Sequence, residues 1–503
     1  MKKTLIISDR KKGFNFAFLA IILLLIFLLS LAQRQDPSDE TVATLPSVVT
    51  QSENSNSPLD NNLPIIVIDT YGQAIDANID YSPAIINEVE MSLRELSPRY
   101  EAILRLYEPG ENGYTSISQA NVPTLDKRIS INVRGQSSLA NPKKQYTIRF
   151  IDEDGMENPV ELLGMPKHDK WVLNASYSDK SLIRNYLAFK MAGQIMEYTP
   201  EIRFVEVYLN DKGDDKITFK DHYLGVYLLI EKIERGENRV KIETNSDNYR
   251  DISFIIARDK IKQGDIVLQT NWSKLMDDFV IDEYGNLRMR TVLTTVYPGA
   301  SSLTENHISK IENYLNDFEY ALMSSEFTSF KNGYRQFIDV DSFADLAIIN
   351  EIFKNIDGGD VSTYFYKDIG GKMKAGPVWD FDLTLGNTSV AHANEPTGFR
   401  MVNTPWYDRL FQDSYFANRY INARYKRFRE TIWPTEKILS MIDEAVIELG
   451  PAVSRNLNRW HDKDLDFDYE QEINQIKEFL SLRLDWMDEN IHLLKRLVEN
   501  QIE

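Results

Sequence analysis

The sequence of 503 residues contains no cysteine and only six histidines. The lack of cysteine excludes disulfide bonds, zinc sites with thiolate ligands and thiol nucleophiles. The histidines are scattered along the chain and none forms an HExxH pair, which excludes a zinc metalloprotease of that type. These absences leave carboxylates, hydroxyls and basic side chains as candidates for chemistry.

Basic residues are outnumbered as well, since 57 Lys and Arg stand against 76 Asp and Glu, a formal net charge of −19. Such a surface repels nucleic-acid phosphates and favours basic partners, so we expect no nucleic-acid ligand. The hydrophobic fraction of 43% and the charged fraction of 26% are those of a globular protein. The chain is too long for one ordinary core, which predicts two or three packed units.

The N-terminus carries a membrane or export signal. Residues 1–13 form a basic, cytoplasmic N-terminus, and residues 14–32 are almost entirely apolar and long enough to cross a bilayer. This run predicts a single-pass anchor in the cell membrane, with the rest of the chain outside the cytoplasm. Its last residues, SLA, also resemble a signal-peptidase site, so a cleaved signal peptide and a secreted protein stay open.

Composition divides the remaining chain into a linker, a small module and a main domain. Residues 33–62 are rich in Ser, Asn, Asp and Pro, which is typical of a flexible linker. Residues 63–125 alternate strand formers with Gly, Asn and Pro, and we predict a small β-rich module there. Residues 126–503 form the main domain, which becomes helical in its later part, with Asp341 as a predicted helix N-cap.

The main domain begins with strand patterns. Residues 129–135 and 143–150 each alternate apolar and polar side chains, and their short connector predicts a hairpin. Residues 203–210 and 223–233 predict a second strand pair, and residues 362–382 predict two strands around a Gly-Gly turn. Strands followed by helices predict an α+β fold.

GPVWDFDLTLGN (376–387) places Asp380 and Asp382 two residues apart in an apolar stretch. In an extended strand both side chains lie on the same side, where their charges repel and their burial is costly. A divalent cation with oxygen ligands, such as magnesium, removes that cost. The pair therefore suggests a hard-cation site, with the alternative that Asp382 caps a helix beginning at Leu383 while Asp380 is solvated.

NIDGGDVS (355–362) follows a predicted helix and contains Asp357 in a glycine-containing loop. A carboxylate near a helix C-terminus is not stabilised by the helix dipole, which favours a functional reason for it. Protein kinases use the same order of acidic loop, hairpin and metal-binding Asp, the first acid meeting the substrate hydroxyl. Taken alone, Asp357 would also suit an ordinary turn.

The first part of the main domain offers groups that could contact phosphates. The RGQSS stretch supplies backbone N–H groups and the hydroxyls of Ser137 and Ser138. Lys143 and Lys144 open a strand from which an ammonium could reach a nucleotide phosphate, and Glu231 ends a strand from which it could orient such a lysine. Exposed lysines beside proline are common, however, and Glu231 could form an exposed ion pair of little energetic weight.

Several of these stretches together resemble the CotH family, the atypical protein kinases of bacterial spore coats. They occur in the family's order over roughly residues 129–390, and the ordered set is specific although no single piece is decisive. The helical tail and the strands from LPIIVI also fit. The matching stretches are RGQSSLANPKKQYTIRF, LLGMPKHDKWVLNASYSDKSLIRNYLAFKMA, FVEVYLN, YLGVYLLIEKIERGENRVKIE, NIDGGDVSTYFYKD and GPVWDFDLTLGN.

The resemblance implies a reduced protein-kinase-like fold, with an antiparallel-sheet N-lobe and a mostly helical C-lobe. It implies ATP and Mg²⁺ or Mn²⁺ as cofactors and phosphate transfer to serine or threonine of a protein substrate. The acidic surface suits a substrate that is basic and serine-rich. Asp357 matches the family's catalytic position, Asp380 matches its metal ligand and Asp382 matches a second acid that assists.

The same resemblance implies a nucleotide site on the basic side. Arg134, Lys143 and Lys144 match the basic residues of the family's segment, and Trp379 would contact the adenine or pack in the core. Kinases and many family members have Asn five residues after the catalytic Asp, for a second cation. This chain has Ser362 there, and a hydroxyl is a weaker ligand, so one cation site is expected to be weaker or missing.

The export signal is a second departure from a coat enzyme, because ATP is scarce outside the cell. A catalytically weak pseudokinase, or a surface adhesion or structural coat protein on a stalk, is therefore the main alternative. A glycosidase with paired carboxylates is a further one, but two acids only two residues apart do not by themselves flank a sugar.

Overall fold

The structure is a computed structural model that describes residues 60–77, 81–86, 89–117, 122–246, 249–271, 291–460 and 467–495. These residues belong to one compact unit. The predicted segments 1–13 and 14–32, and nearly all of the predicted linker 33–62, lie outside the described residues. Within the described ranges, no helix is both long enough and apolar enough to cross a membrane.

Seven strands close into a barrel in the first half of the chain. The strands are β1 (Ile65–Asp69), β2 (Tyr100–Tyr107), β3 (Leu125–Arg134), β4 (Gln145–Phe150), β5 (Lys170–Asn174), β6 (Ile202–Asn210) and β7 (Tyr223–Glu231). Their order around the barrel is β5-β7-β6-β1-β2-β3-β4. All neighbours are antiparallel except β1 and β6, which run parallel with Ile66 opposite Val207. The predicted purely antiparallel sheet is wrong for this pair.

The first two barrel strands come from the region predicted as a separate module. β1 and β2 pair with each other, and β2 also pairs with β3, where Leu104 lies opposite Lys127. Ile66, Ile68 and Leu104 are buried in the barrel interior with residues of the later strands. β1 and β2, both from the 63–125 region, therefore complete the barrel.

The three predicted strand pairs of the main domain are present, including the one around the Gly-Gly turn, whose second strand is only Lys374–Ala375. Ile131 of β3 lies opposite Ile148 of β4, and both side chains are buried inside the barrel, as their alternation predicts. β6 and β7 pair from Ile202 onward and are buried on both faces. Their outer residues, such as Leu228, belong to the large core that the barrel shares with the helices.

The second half of the chain is a small sheet and a set of helices, so the fold is α+β as predicted. The sheet has the order β9-β8-β10-β11, with β8 (Phe254–Asp259), β9 (Val292–Tyr297), β10 (Thr363–Lys367) and β11 (Lys374–Ala375). The longer helices are α1 (Arg184–Ala192), α2 (Glu305–Met323), α3 (Val340–Ile352), α4 (Thr435–Leu449), α5 (Ala452–Trp460) and α6 (Tyr469–Asn490).

Several short elements join these parts. The strand pairs are Asp60–Asn61 with Thr115–Ser116, Tyr81–Ile86 with Val89–Arg94, and Val160–Leu162 with Met165–His168. The short helices are Phe219–His222, Tyr407–Leu410, Ser414–Asn418 and Arg427–Thr431, with a π-helix over Arg419–Lys426.

The loop that contains Asp357 follows helix α3, which lies in the large core. Phe343 and Ile352 are completely buried there. Its N-cap is Asp339, whose carboxylate accepts a hydrogen bond from the Ser342 N–H at 2.8 Å. The predicted cap, Asp341, is wrong by two residues, because it lies in the first turn and binds Arg419 instead.

Candidate active site

Asp357 lies in the loop that follows helix α3. Asn355 anchors this loop, because its side-chain nitrogen donates to Asn350 Oδ1 at 2.9 Å and its own Oδ1 accepts from the Asp357 N–H at 3.0 Å. The Asp357 carbonyl accepts from the N–H groups of Asp360 and Val361. The end of helix α3 therefore fixes the backbone that carries the Asp357 carboxyl.

A buried ionic network braces the same loop. Arg400 donates to the Ile356 carbonyl at 3.0 Å and pairs with Asp360. Glu351 accepts from the Arg400 N–H at 2.8 Å and from the Arg483 guanidinium at 2.7 Å. Breaking such a buried pair by removing one partner leaves an uncompensated charge, which is strongly destabilising. The Asp357 loop is thus held in place from both of its sides.

Gly359 lets this loop pass close to Thr404. Its φ is +83°, and a Cβ there would lie 2.4 Å from Thr404 Oγ1. Gly359→Ala should lower the free energy of unfolding by about 1–3 kcal/mol, because backbone strain and overpacking add. Gly370→Ala is the matched control, since its φ is +70° but no atom lies within 4 Å of its Cβ. Equal losses of thermal stability in the two variants would contradict the close packing.

Asp380 and Asp382 lie in a loop rather than in the predicted strand. β11 ends at Ala375, and Asp380 has a φ of +64°, so the expected extended geometry is wrong. The two carboxyl groups nevertheless lie close to each other, since the charge of Asp380 raises the pKa of Asp382. The helix-cap alternative does not hold either, because turns follow Asp382 and its carbonyl accepts from Asn387 Nδ2 at 2.6 Å.

Helix α1 holds this second loop through residues that sequence reasoning missed. Asn185 Oδ1 accepts from the Phe381 N–H at 2.7 Å, and Arg184 donates to the Thr384 carbonyl at 2.8 Å. Arg184 is itself paired with the buried Asp179 at 2.7 Å. The sequence feature that could have revealed them is SDKSLIRN, in which Asp179, Arg184 and Asn185 stand at the start of an apolar helical pattern.

The three acids lie close enough to shift one another's pKa. Burial, and after it the charge of Asp380, raises the pKa of Asp357 to about 6. Burial raises the pKa of Asp380, and burial followed by the neighbouring acids raises the pKa of Asp382 well above its usual value. None of the three forms an ion pair within the described part of the chain. Such a cluster costs stability, which makes it a functional-site candidate.

The donor chemistry fits a hard divalent cation that has further ligands from outside the protein. Ser362 Oγ lies 3.5 Å from Asp380 Oδ2, so a hydroxyl adjoins the carboxylates. Among the described residues, no three His, Cys, Asp or Glu side chains form a complete metal site by themselves. Magnesium commonly takes one or two carboxylates and completes its shell with water and phosphate. Asp380, Asp382 and Ser362 therefore suit a cation that binds together with a phosphate.

Arg134 lies against Trp379, the residue that directly precedes Asp380. Its guanidinium carbon is 5.0 Å from the centre of the Trp379 ring. Burial lowers the pKa of Arg134, and the charge of Asp380 counteracts that shift. Trp379 also packs edge-on against Phe189 at the rim of the large core, and whether it contacts an adenine as well stays a prediction.

The RGQSS turn after β3 has the compact shape expected of it. Gly135 has a φ of +121°, and a Cβ there would lie 2.1 Å from Ser138 Oγ, so only glycine fits. Ser137 is exposed and Ser138 half-buried. Lys144 donates to the Leu139 carbonyl at 2.7 Å and thereby closes the connector on itself.

Lys143 has a structural place instead of the predicted contact with phosphate. Its side chain is only 2% exposed, and its ammonium donates to the Val226 carbonyl and to Asn456 Oδ1. The ammonium also lies 4.6 Å from the centre of the Tyr227 ring. Strand β7 and helix α5 enclose Lys143, so its hydrogen bonds tie the barrel to the helices.

Glu231 does not orient a lysine, and that prediction is wrong. It ends β7 as expected, but its carboxylate forms a buried ion pair with Arg239. The same carboxylate accepts from Tyr198 Oη at 3.1 Å and from the Glu201 N–H at 3.0 Å. Arg239, eight residues further along the chain, occupies this carboxylate. Glu231 therefore binds neither Lys143 nor an exposed partner.

Lys260 is a basic residue of the site that sequence reasoning did not identify. Its charge lowers the pKa of both Asp357 and Asp380. It directly follows β8, whose last residue Asp259 also interacts with Arg134. The only signal in the sequence was a charged RDK at the end of an apolar strand.

Comparison of the sequence with known proteins shows the family. The sequence profile of a family described as CotH kinase protein matches residues 131–487, well over half of the chain. The chain is also 22% identical over 393 residues to the inner spore coat protein H of Bacillus subtilis (strain 168), an alignment that covers 75% of this chain and 91% of that protein. The matched range includes every acid of the candidate site, and the chain belongs to the CotH kinase protein family.

Proposed function

We propose that the protein transfers the terminal phosphoryl group of ATP to serine or threonine hydroxyls of a protein substrate. The feature that carries the proposal is that Asp357 and Asp380, from two separate loops, lie near enough for the charge of Asp380 to raise the pKa of Asp357, while neither forms an ion pair among the described residues. Phosphoryl transfer needs a carboxylate at the acceptor hydroxyl and carboxylates that hold a cation against the phosphates. Family membership supports the same reading.

Asp357 accepts the proton of the acceptor hydroxyl while that oxygen bonds to the terminal phosphorus of ATP. The bond from this phosphorus to the bridging oxygen breaks, and ADP leaves with the electron pair. Asp380 and Asp382, with Ser362 beside them, hold Mg²⁺ or Mn²⁺, which supplies charge neutralisation on the phosphates when bound. Arg134 adds positive charge on the same side. Positioning and charge neutralisation account for most of the catalysis in this type of reaction.

The proposal extends to the architecture and to the place of action. The barrel and the helical part act as the two lobes of a kinase-like fold, with Asp357 in the loop after helix α3 and Asp380 and Asp382 in the 376–387 loop. Residues 14–32 hold the protein in the cell membrane, or direct its secretion if they are cleaved. A spore coat location is supported only by the relative from B. subtilis, whose name states it.

Transfer of labelled phosphate from ATP to a Lys- and Ser-rich protein tests the proposal. We expect labelling by the wild-type chain that requires Mn²⁺ or Mg²⁺ and is lost when both are removed. Isothermal titration calorimetry with ATP and Mn²⁺ provides a readout that does not depend on the choice of acceptor. No transfer and no saturable binding of nucleotide would reject the enzyme and favour an adhesion or structural coat protein.

The pH dependence of transfer should have an acidic limb that moves with the cation concentration. Asp357 accepts a proton only when ionised, and its pKa is raised to about 6, so kcat/KM should rise with pH through about 6 and level off above it. A cation on Asp380 cancels part of the charge that raises this pKa, so more Mn²⁺ should shift the limb to lower pH. An acidic limb that is insensitive to Mn²⁺ would contradict the coupling between the two acids.

A further inference from the structure

Lys260 lies beside the loop that carries Asp357. It follows β8, which pairs with β10 so that Arg258 is opposite Thr363. Asp259 and Lys260 follow directly at the end of this pair, where Thr363 begins β10 immediately after the Asp357 loop. Arg258 also reaches this loop, since its guanidinium lies 3.5 Å from the Gly359 carbonyl.

The RGQSS turn holds Lys260 from the opposite side. Gln136 Nε2 donates to the Lys260 carbonyl at 3.0 Å. The preceding carboxylate of Asp259 accepts from the Lys260 N–H at 2.8 Å, which fixes the backbone where the strand ends. Lys260 is therefore positioned between the turn next to Arg134 and the loop of Asp357.

The ammonium of Lys260 differs from those of the other lysines near the site. Lys143, Lys144 and Lys354 each donate to backbone carbonyls of their surroundings. Within the described ranges the Lys260 ammonium donates no hydrogen bond and forms no ion pair. Its side chain is only half-buried, so a ligand can reach it. Its electrostatic influence falls on Asp357 and Asp380.

We propose that Lys260 binds the terminal phosphate of the nucleotide and stabilises the charge on its oxygens during transfer. This assignment depends on the proposed phosphotransferase function. An ammonium on a flexible stem is well suited to follow a phosphoryl group as it moves from donor to acceptor. A cation held beside the acids, without a carboxylate partner of its own, keeps its donors available for such a ligand.

Two substitutions test the role of this charge. Lys260→Met removes the ammonium while keeping most of the side-chain volume, and Lys260→Arg keeps the charge. Lys262→Met is the matched control, because that lysine lies two residues further on and pairs with Asp265 at 3.0 Å. The probes are Mn²⁺ with ADP, and Mn²⁺ with the non-hydrolysable ATP analogue that has an imido bridge, both followed by calorimetry.

We expect Lys260→Met to lower kcat by about 100-fold, the usual cost of removing one donor to a developing charge. Binding of the ATP analogue should weaken by about 10-fold while ADP binding changes little, because only the analogue has the terminal phosphate. Lys260→Arg should restore most of the analogue binding, and Lys262→Met should match the wild-type protein in both measurements. Thermal unfolding of all variants checks that folding is unchanged.

Three outcomes decide against the assignment. If Lys260→Met behaves like Lys262→Met, then Lys260 is only a counter-ion for the acids, and the proposed function itself is unaffected. Equal losses of ADP and analogue binding would place Lys260 away from the terminal phosphate. If the wild-type protein binds neither nucleotide, both the function and the role of Lys260 are rejected together.

Discussion

Replacing Asp380 by Asn should abolish cation-dependent nucleotide binding and lower phosphate transfer by at least about 1,000-fold. The amide keeps the shape of the side chain but removes one of the two carboxylates that meet in the 376–387 loop. A bound metal ion contributes several kcal/mol of charge stabilisation to the transition state, which corresponds to a loss of this order. Asp382 remains, but one carboxylate with Ser362 is a much weaker ligand set.

The stability of the same variant should move in the opposite direction. A carboxyl whose folded-state pKa is raised penalises the folded state above that pKa, because the unfolded chain ionises first. The pKa of Asp380 is raised by burial, so in metal-free buffer at neutral pH the Asp380→Asn protein should melt at or above the wild-type temperature. Loss of activity without loss of stability separates a functional role from a structural one.

Adding Mn²⁺ completes this experiment. The ion should raise the melting temperature of the wild-type protein, since it binds the folded state only, and should do little for Asp380→Asn. Asp443→Asn is a suitable control, because that carboxylate forms a partly exposed ion pair with Lys477 and should leave the Mn²⁺ effect intact. Equal stabilisation of all three proteins by Mn²⁺ would show that the ion binds elsewhere.

The local sequence pattern predicted the strands that can be recognised from a few neighbouring residues. The β3–β4 hairpin alternates with a period of two and the β6–β7 pair consists of continuous runs of strand formers, and both are where the pattern placed them. Closure of the barrel was not predictable in this way. β1 joins β6 in parallel across about 140 residues of chain, with Ile66 opposite Val207, and no short-range pattern specifies that partner.

The acids of the site were found because they stand in motifs, while their surroundings were not. Asp357, Asp380 and Asp382 are polar residues in loops where stability gives no reason for a charge. The contacts of Lys143 and Glu231 depend instead on Asn456 and Arg239, which come from other parts of the chain. Lys260 belongs to no motif, and its position near the Asp357 loop follows only from the pairing of β8 with β10.

Replacing Asp357 by Asn should lower kcat by about 1,000-fold while leaving Mn²⁺-dependent nucleotide binding in place. The amide cannot accept the hydroxyl proton, and general-base contributions are commonly of that size. The loop itself should survive, because Asp357 is bound to Asn355 through its backbone N–H and not its carboxylate, and the bond that anchors Asn355 to Asn350 does not involve Asp357. Since the pKa of Asp357 is raised to about 6, the amide also removes a penalty on folding at neutral pH.

Asp360→Asn is the control that separates loss of the base from distortion of the loop. It lies three residues away in the same loop and weakens the ion pair with Arg400, so it disturbs the loop while the Asp357 carboxylate stays. Single-turnover labelling and calorimetry should therefore show a far smaller loss of transfer in Asp360→Asn, and should show nucleotide binding in both variants. If Asp357→Asn labels its acceptor as fast as the wild-type protein, Asp357 is not the base, and another group must take the hydroxyl proton. If it loses nucleotide binding as completely as Asp380→Asn, Asp357 is a ligand of the cation. It would then share the role of Asp380 and would not be a separate general base.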